Sequence, residues 1–179
     1  MIKKIPNILT VMRILLIPVI VVAFYLDGKI SSILVATIFI FASITDYLDG
    51  MLARMLKAHS QFGKVLDPIA DKLLVVATLV MLIHFNKAPV IPALLILLRE
   101  ILVSGLRENL SSLNVSLPVT QLAKFKTMVQ MVAIILLIVG HLFYFPNIAI
   151  MFGQVMLWVA AILTLITGYA YCREGFRYL

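Results

Sequence analysis

Residues 46–71 read DYLDGMLARMLKAHSQFGKVLDPIAD, and four aspartates punctuate that stretch: Asp46, Asp49, Asp67 and Asp71. On either side the chain is almost wholly apolar, in runs long enough to cross a lipid bilayer. A single aspartate at the centre of a membrane helix costs roughly 2.5–3.5 kcal/mol on insertion scales, so four together persist only where cations or bound ligands compensate them. At 3.6 residues per turn, positions 46, 49, 50, 53 and 54 fall on one helical face, and 63, 67 and 71 on one face of the next helix. The two faces can meet. Gly50 and Ala53 take bulk away from the first of them, which lets a helix or a ligand approach closely.

Outward from this motif the composition sets the class. With 63% of 179 residues hydrophobic and only 13% charged, the chain carries more apolar surface than the interior of a soluble fold of this size can take up. An all-α integral membrane protein follows. A spanning helix needs roughly 20 mostly apolar residues, and such stretches occur at 8–26, 31–52, 65–85, 89–108, 125–145 and 148–171. They predict six transmembrane helices in a single domain, 1–179, with little chain left for anything outside the membrane. Pro6-Asn7 is expected to break a short N-terminal interfacial segment from the first helix, and Pro18 to kink that helix. Lys3 and Lys4 precede an apolar run, as in a signal peptide, but no small-residue cleavage site follows, so the first helix is expected to be retained. Cys172 is the only cysteine, which leaves neither an intrachain disulfide nor a thiolate cluster.

The net charge of +7 is placed unevenly. If six helices alternate, Lys3, Lys4, Arg13, Arg54, Lys57, Lys64, Arg107, Lys124, Lys126, Arg173 and Arg177 share one side of the membrane, and Lys29 and Lys87 take the other. By the positive-inside rule both termini, and the aspartates with them, belong to the cytoplasmic side of a multi-pass protein of the cytoplasmic (inner) membrane. Because these cations cluster at helix ends rather than along a soluble face, membrane lipid headgroups or phosphate ligands are their expected counterparts, and nucleic acid is not.

Carboxylate oxygens in this number suit hard divalent cations, Mg²⁺ or Mn²⁺, and two such ions would cancel four negative charges. Paired cations held by carboxylates grip a pyrophosphate and neutralise charge on its oxygens during displacement, and Arg54 adds a fork of donors for a phosphate. The alternative for the aspartates is a structural ion-pair network with Arg54, Lys64 and Lys72.

The spacing Asp46-x-x-Asp49-Gly50-x-x-Ala53-Arg54, eight residues, then Gly63-x-x-x-Asp67-x-x-x-Asp71 resembles, at every fixed position, the signature of the CDP-alcohol phosphotransferase family. Pro6-Asn7-Ile8-Leu9-Thr10-x-x-Arg13, Arg99-Glu100-Ile101, Ser104-Gly105-Leu106-Arg107-Glu108 and Lys124-Phe125-Lys126-Thr127 extend the likeness over nearly the whole chain, towards members that use glycerol 3-phosphate. Ala123 departs from the pattern, since a glycine usually precedes the Lys-x-Lys-Thr run; its methyl crowds the acceptor pocket without removing a donor. The resemblance implies that sn-glycerol 3-phosphate attacks the β-phosphorus of CDP-diacylglycerol, forming phosphatidylglycerol phosphate and releasing CMP. It implies that Asp46, Asp49, Asp67 and Asp71 ligate two metals, that Asp71 is also the general base, and that Asp49, Gly50, Ala53, Arg54 and Gly63 hold the CDP portion. A homodimer is implied as well.

A dianionic acceptor phosphate needs several donors. Arg107, Lys124 and Lys126, with Arg99 deeper, are the cations available for it on the fourth and fifth helices. Rim ion pairs and positive-inside anchoring are the plainer explanations of the same residues. Tyr169, Tyr171, Tyr178 and Trp158 read as interfacial anchors. Three rival functions remain at this level. A divalent-cation transporter would need a polar track to the far side, where Ile14 to Phe24 and Ile134 to Val139 are almost wholly apolar. A prenyltransferase would not need the Gly-Ala-Arg and Gly spacing. Within the family, serine, inositol phosphate or a second phosphatidylglycerol could be the acceptor.

Overall fold

A computed structural model describes residues 5–56, 61–112 and 121–175, and among them the side chains of 10–45, 69–70, 72–110 and 121–175. The described residues form α1 (Ile5–Phe24), α2 (Gly28–Leu56), α3 (Gln61–His84), α4 (Val90–Ser112), α5 (Gln121–Val139), a 3-10 turn (Gly140–Leu142) and α6 (Pro146–Gly175). Apart from short turns the described residues are helical. In lipid a helix satisfies every backbone polar group within its own segment, so this is the form that so apolar a chain takes. Three helical stretches are long and apolar enough to cross a membrane: Gly28–Thr45, Gln121–Leu142 and Pro146–Gly175. Thr10–Phe24 and Lys72–His84 are shorter apolar stretches, while α4 carries Arg99, Glu100, Arg107 and Glu108 along its second half.

The helix bounds match the sequence expectation with instructive exceptions. The break expected at Pro6-Asn7 does not occur, since α1 is already helical at Ile5 and runs through both residues. A proline in the first turn forfeits only an N–H that has no intrahelical partner there, so it starts the helix instead of breaking it. Pro18 lies inside α1. The fourth stretch, expected to end at 108, continues as helix to Ser112.

Chain contacts group the protein into two compact units, 1–84 and 85–179. In the first, α1 packs on both α2 and α3. Gly28, with φ of 63°, takes the left-handed conformation that the tight turn from α1 into α2 requires. Ser31 Oγ then donates to the Phe24 carbonyl at 3.5 Å, tying the two helix ends together. The buried stripe of α1 begins with Thr10 and Arg13 and continues through Ile20, Ala23 and Phe24. Against it lie Ser32, Val35, Ala36, Phe39 and Ala42 of α2 and Ala70, Leu74, Thr78 and Leu82 of α3. The opposite faces expose Val11, Leu15, Val19 and Val22 on α1 and Ile33, Ile40, Phe41 and Ile44 on α2. Apolar side chains on both faces are what a helix shows when protein covers one side and lipid the other.

In the second unit α6 packs on both α4 and α5. Its buried stripe is Gly153, Leu157, Ala160, Ala161, Thr164, Thr167, Gly168, Tyr171 and Gly175, in which the glycines, alanines and threonines admit close helix contact. A Cβ added at Gly168 would sit 2.9 Å from Arg99 Cγ. Glycine at that position gives the Arg99 stem room to lie against α6. Outward from the stripe, Met151, Phe152, Val155, Trp158, Ile162, Leu165 and Ile166 are exposed.

Candidate functional site

The aspartate motif lies on the C-terminal part of α2 and the N-terminal part of α3, as helix positions rather than described side chains. Asp46, Asp49, Gly50, Ala53 and Arg54 fall within α2, and Gly63, Asp67 and Asp71 within α3. The side chains of all eight lie outside the described residues. Their register is nevertheless informative. Stepping by three and four residues along the buried stripe of α2, from Val35 through Phe39 and Ala42, arrives at 46 and 49. Stepping back along α3 from Thr78 through Leu74 arrives at 71 and 67. The motif therefore prolongs the two stripes that pack on α1. Arg13, on the facing stripe of α1, is 1% exposed, a charge held out of lipid and water alike. Among the described residues no group of three or more His, Cys, Asp or Glu could hold a metal ion.

A polar seam runs between α4, α5 and α6 of the second unit. Lys126 on α5, with only 4% of its side chain exposed, pairs with Glu100 Oε1 of α4. Arg99 Nη1 donates to the same oxygen at 3.3 Å, and Arg99 Nη2 donates to Thr167 Oγ1 on α6 at 3.1 Å. Arg107, two turns along α4, donates from Nη2 to the Tyr171 hydroxyl at 3.0 Å. The Tyr171 ring also faces both guanidinium groups, with Cζ of Arg107 4.8 Å and Cζ of Arg99 5.7 Å from its centroid. Among the described residues three cations are thus gathered around one carboxylate and one phenol, a surplus of positive charge in which Arg99 and Lys126 are largely covered and Arg107 is exposed. Such a surplus favours an anionic ligand, because charge–charge attraction strengthens as the surroundings become less polar.

Of the four cations expected to bind an acceptor phosphate, the structure brings Arg99, Arg107 and Lys126 to this seam. Lys124 is exposed. It lies two residues from Lys126, hence on the opposite side of α5. Glu100 anchors Arg99 and Lys126, whereas Glu108 is exposed. Sequence reasoning missed Tyr171 and Thr167, reading the tyrosine as an interfacial anchor. The available signal was the run of small and hydroxyl residues at three- and four-residue steps along an otherwise apolar α6.

The model of the family described as CDP-alcohol phosphatidyltransferase matches residues 3–166 of this chain. The chain belongs to that family. Among curated relatives, a Rickettsia felis protein named CDP-diacylglycerol–glycerol-3-phosphate 3-phosphatidyltransferase is 47% identical over 98% of this chain and 97% of its own length. A Cereibacter sphaeroides protein of the same name is 39% identical over 98% of this chain and 97% of its own length. One from Haemophilus influenzae, again with that name, is 40% identical over 90% of this chain and 88% of its own length. The match of the family model spans the aspartate motif and, of the polar seam, Arg99, Glu100, Arg107 and Lys126.

Proposed function

We propose that this protein transfers the phosphatidyl group of CDP-diacylglycerol to sn-glycerol 3-phosphate, releasing CMP and forming phosphatidylglycerol phosphate. The seam of Arg99, Arg107 and Lys126 carries the choice of acceptor, because a small phosphorylated alcohol is the kind of ligand that calls for surplus positive charge. Relatives similar to this chain over nearly its full length bear the name of that reaction.

The motif supplies the chemistry. Asp46, Asp49, Asp67 and Asp71 offer oxygen donors alone, the set that fits Mg²⁺ or Mn²⁺, at helix positions that prolong two neighbouring stripes. Two divalent cations held there supply charge neutralisation at the pyrophosphate and acidify the acceptor hydroxyl. Arg54 presents its fork of donors to the CDP phosphates, and Asp49, Gly50, Ala53 and Gly63 accommodate the nucleotide. The C1 hydroxyl oxygen of the acceptor forms a bond to the β-phosphorus; the bond from that phosphorus to the bridging oxygen breaks, and CMP leaves with the oxygen. Asp71 takes the hydroxyl proton. A free carboxylate, with a pKa near 4, is a weak base, so an acidified hydroxyl makes its task feasible. Arg99, Arg107 and Lys126, with Lys124 at the rim, hold the acceptor phosphate.

In this reading the six helices all span the cytoplasmic membrane, both termini are cytoplasmic, the site opens to the cytoplasmic leaflet, and the protein works as a homodimer. The deciding experiment supplies purified protein with CDP-diacylglycerol, Mg²⁺ or Mn²⁺, and in turn glycerol 3-phosphate, serine, inositol phosphate or phosphatidylglycerol, and follows CMP. Release with glycerol 3-phosphate alone is the expected result. Release with another alcohol instead reassigns the acceptor, and metal flux in proteoliposomes without nucleotide points to transport.

A further inference from the structure

The hydroxyl residues of the described helices follow a rule that has one exception of interest. Thr37, Ser43, Thr45, Thr78, Thr127 and Thr167 each donate to a backbone carbonyl three or four residues back, the usual way for a hydroxyl to be satisfied inside a membrane helix. Thr164 does not, although it is completely buried. Among the described residues its Oγ1 has no hydrogen-bond partner, and neither do Oε1 of Gln130, a residue only 3% exposed, and Nε of Arg99. All three atoms belong to α4, α5 and α6 of the second unit.

Helix register brings them to one stretch of the seam. Gly140 packs against Ile150 and Gly153 against Leu137, so α5 and α6 run antiparallel with each step down one matched by a step up the other. Continuing that count sets residue 126 level with residue 164, and Gln130 one turn beyond, on the same buried face of α5 as Lys126. Arg99 crosses to α6 at Thr167 and Gly168, one turn from Thr164. By that count Thr164 lies level with Lys126, with Gln130 about one helical turn, roughly 5.4 Å, to one side and the contact of Arg99 with α6 about one turn to the other. Buried polar atoms carry a free-energy cost until a partner meets them.

We propose that Gln130 and Thr164 read the secondary hydroxyl of the acceptor, the one that takes no part in the transfer. The proposal rests on glycerol 3-phosphate, or another phosphate of a short polyol, being the ligand of this seam. A hydroxyl both donates and accepts, so it satisfies a glutamine amide in either orientation and a threonine hydroxyl as well. A three-carbon phosphate reaches about one helical turn, so the phosphate can meet Lys126 and Arg99 while its middle carbon's hydroxyl lies beside Gln130 and Thr164. Sites built to hydrogen-bond a substrate hydroxyl discriminate strongly against the analogue that lacks it, because binding the analogue leaves their own groups unpaired.

The test compares sn-glycerol 3-phosphate with 3-hydroxypropyl phosphate, which keeps the phosphate and the attacking primary hydroxyl and lacks only the secondary one. With full-length protein, CDP-diacylglycerol and Mg²⁺, the wild type is expected to prefer glycerol 3-phosphate by about tenfold or more in kcat/KM. Gln130→Leu and Thr164→Val each bring that preference towards unity, and Thr164→Ser restores it. Thr164→Val is close in shape to the native residue, so the valine and serine pair decides the matter even if Gln130→Leu fails to fold. A wild type indifferent to the two acceptors overturns the proposal while leaving the parent reaction intact. So do variants that slow both acceptors equally, the mark of a structural role, or that change neither, the mark of water meeting these atoms. A wild type that releases CMP with neither phosphate overturns the acceptor assignment and the hydroxyl reading with it.

Discussion

The two units place polar groups in membrane helices by opposite means. In the first, the polar positions are consecutive in sequence: four aspartates, two glycines, an alanine and an arginine within 26 residues, all prolonging stripes that pack on α1. In the second, they are scattered: Arg99 and Arg107 from α4, Lys126 from α5, Thr167 and Tyr171 from α6, drawn together only because α6 packs on both neighbours. The contiguous site is a constellation that spacing along two helices already implies. The distributed one exists only where three helices meet, so each member depends on the others for its position, and removing a packing residue should disturb it as surely as removing a charge.

That contrast can be broken first at Asp71. Asp71→Asn is expected to lower turnover by about a thousandfold or more while CDP-diacylglycerol binding stays largely intact, since in the proposed mechanism Asp71 serves as the base and gives a charge to the metals. Turnover near the wild-type level, with CMP release as the readout, would remove Asp71 from the chemistry. Next comes Lys126→Ala, which takes one cation from the seam and should cost about 2 kcal/mol, roughly a thirtyfold rise in KM for glycerol 3-phosphate, with little change in KM for the lipid. Lys124→Ala, at an exposed position, is expected to change the same constant by less than about threefold. If the two lysines prove equivalent, the seam is not what binds the acceptor.

Packing supplies a smaller test. Gly168→Ala places a methyl where Arg99 Cγ now lies 2.9 Å away. Overpacking of this kind costs about 1–3 kcal/mol, so a lower melting temperature in detergent and a raised KM for glycerol 3-phosphate should appear together. A stable variant with unchanged kinetics would show that Arg99 needs no room on α6. The smallest effect is expected from Tyr171→Phe, which keeps the ring facing both guanidiniums and deletes only the hydroxyl bonded to Arg107. About 1 kcal/mol, roughly fivefold in KM for the acceptor, is the magnitude of one such hydrogen bond. An effect as large as that of Lys126→Ala would mean that the phenol touches the ligand itself.

Legibility in the sequence followed the same division. Apolar run length located α1 to α6, because the membrane dictates about 20 residues per span irrespective of what the helix packs against. It misjudged Pro6-Asn7, where the position of the proline in the first turn, not its presence, decides whether a helix breaks. The aspartate motif stood out because unpaired charge in an apolar run is costly wherever the chain goes. Gln130 and Thr164 drew no attention, since one polar residue among apolar neighbours has no meaning until its partners, or their absence, are known.

The sequence alone determined that this chain is an α-helical membrane protein and that carboxylates at fixed helical intervals form its motif, for those conclusions rest on local quantities: transfer free energy per residue and 3.6 residues per turn. Only the tertiary structure decided that Lys126 shares Glu100 with Arg99 while Lys124 faces away, and that Tyr171 stands between two arginines. Those facts depend on which faces of α4, α5 and α6 come together, and small residues far from the charges in sequence, Gly168 above all, set how closely they approach.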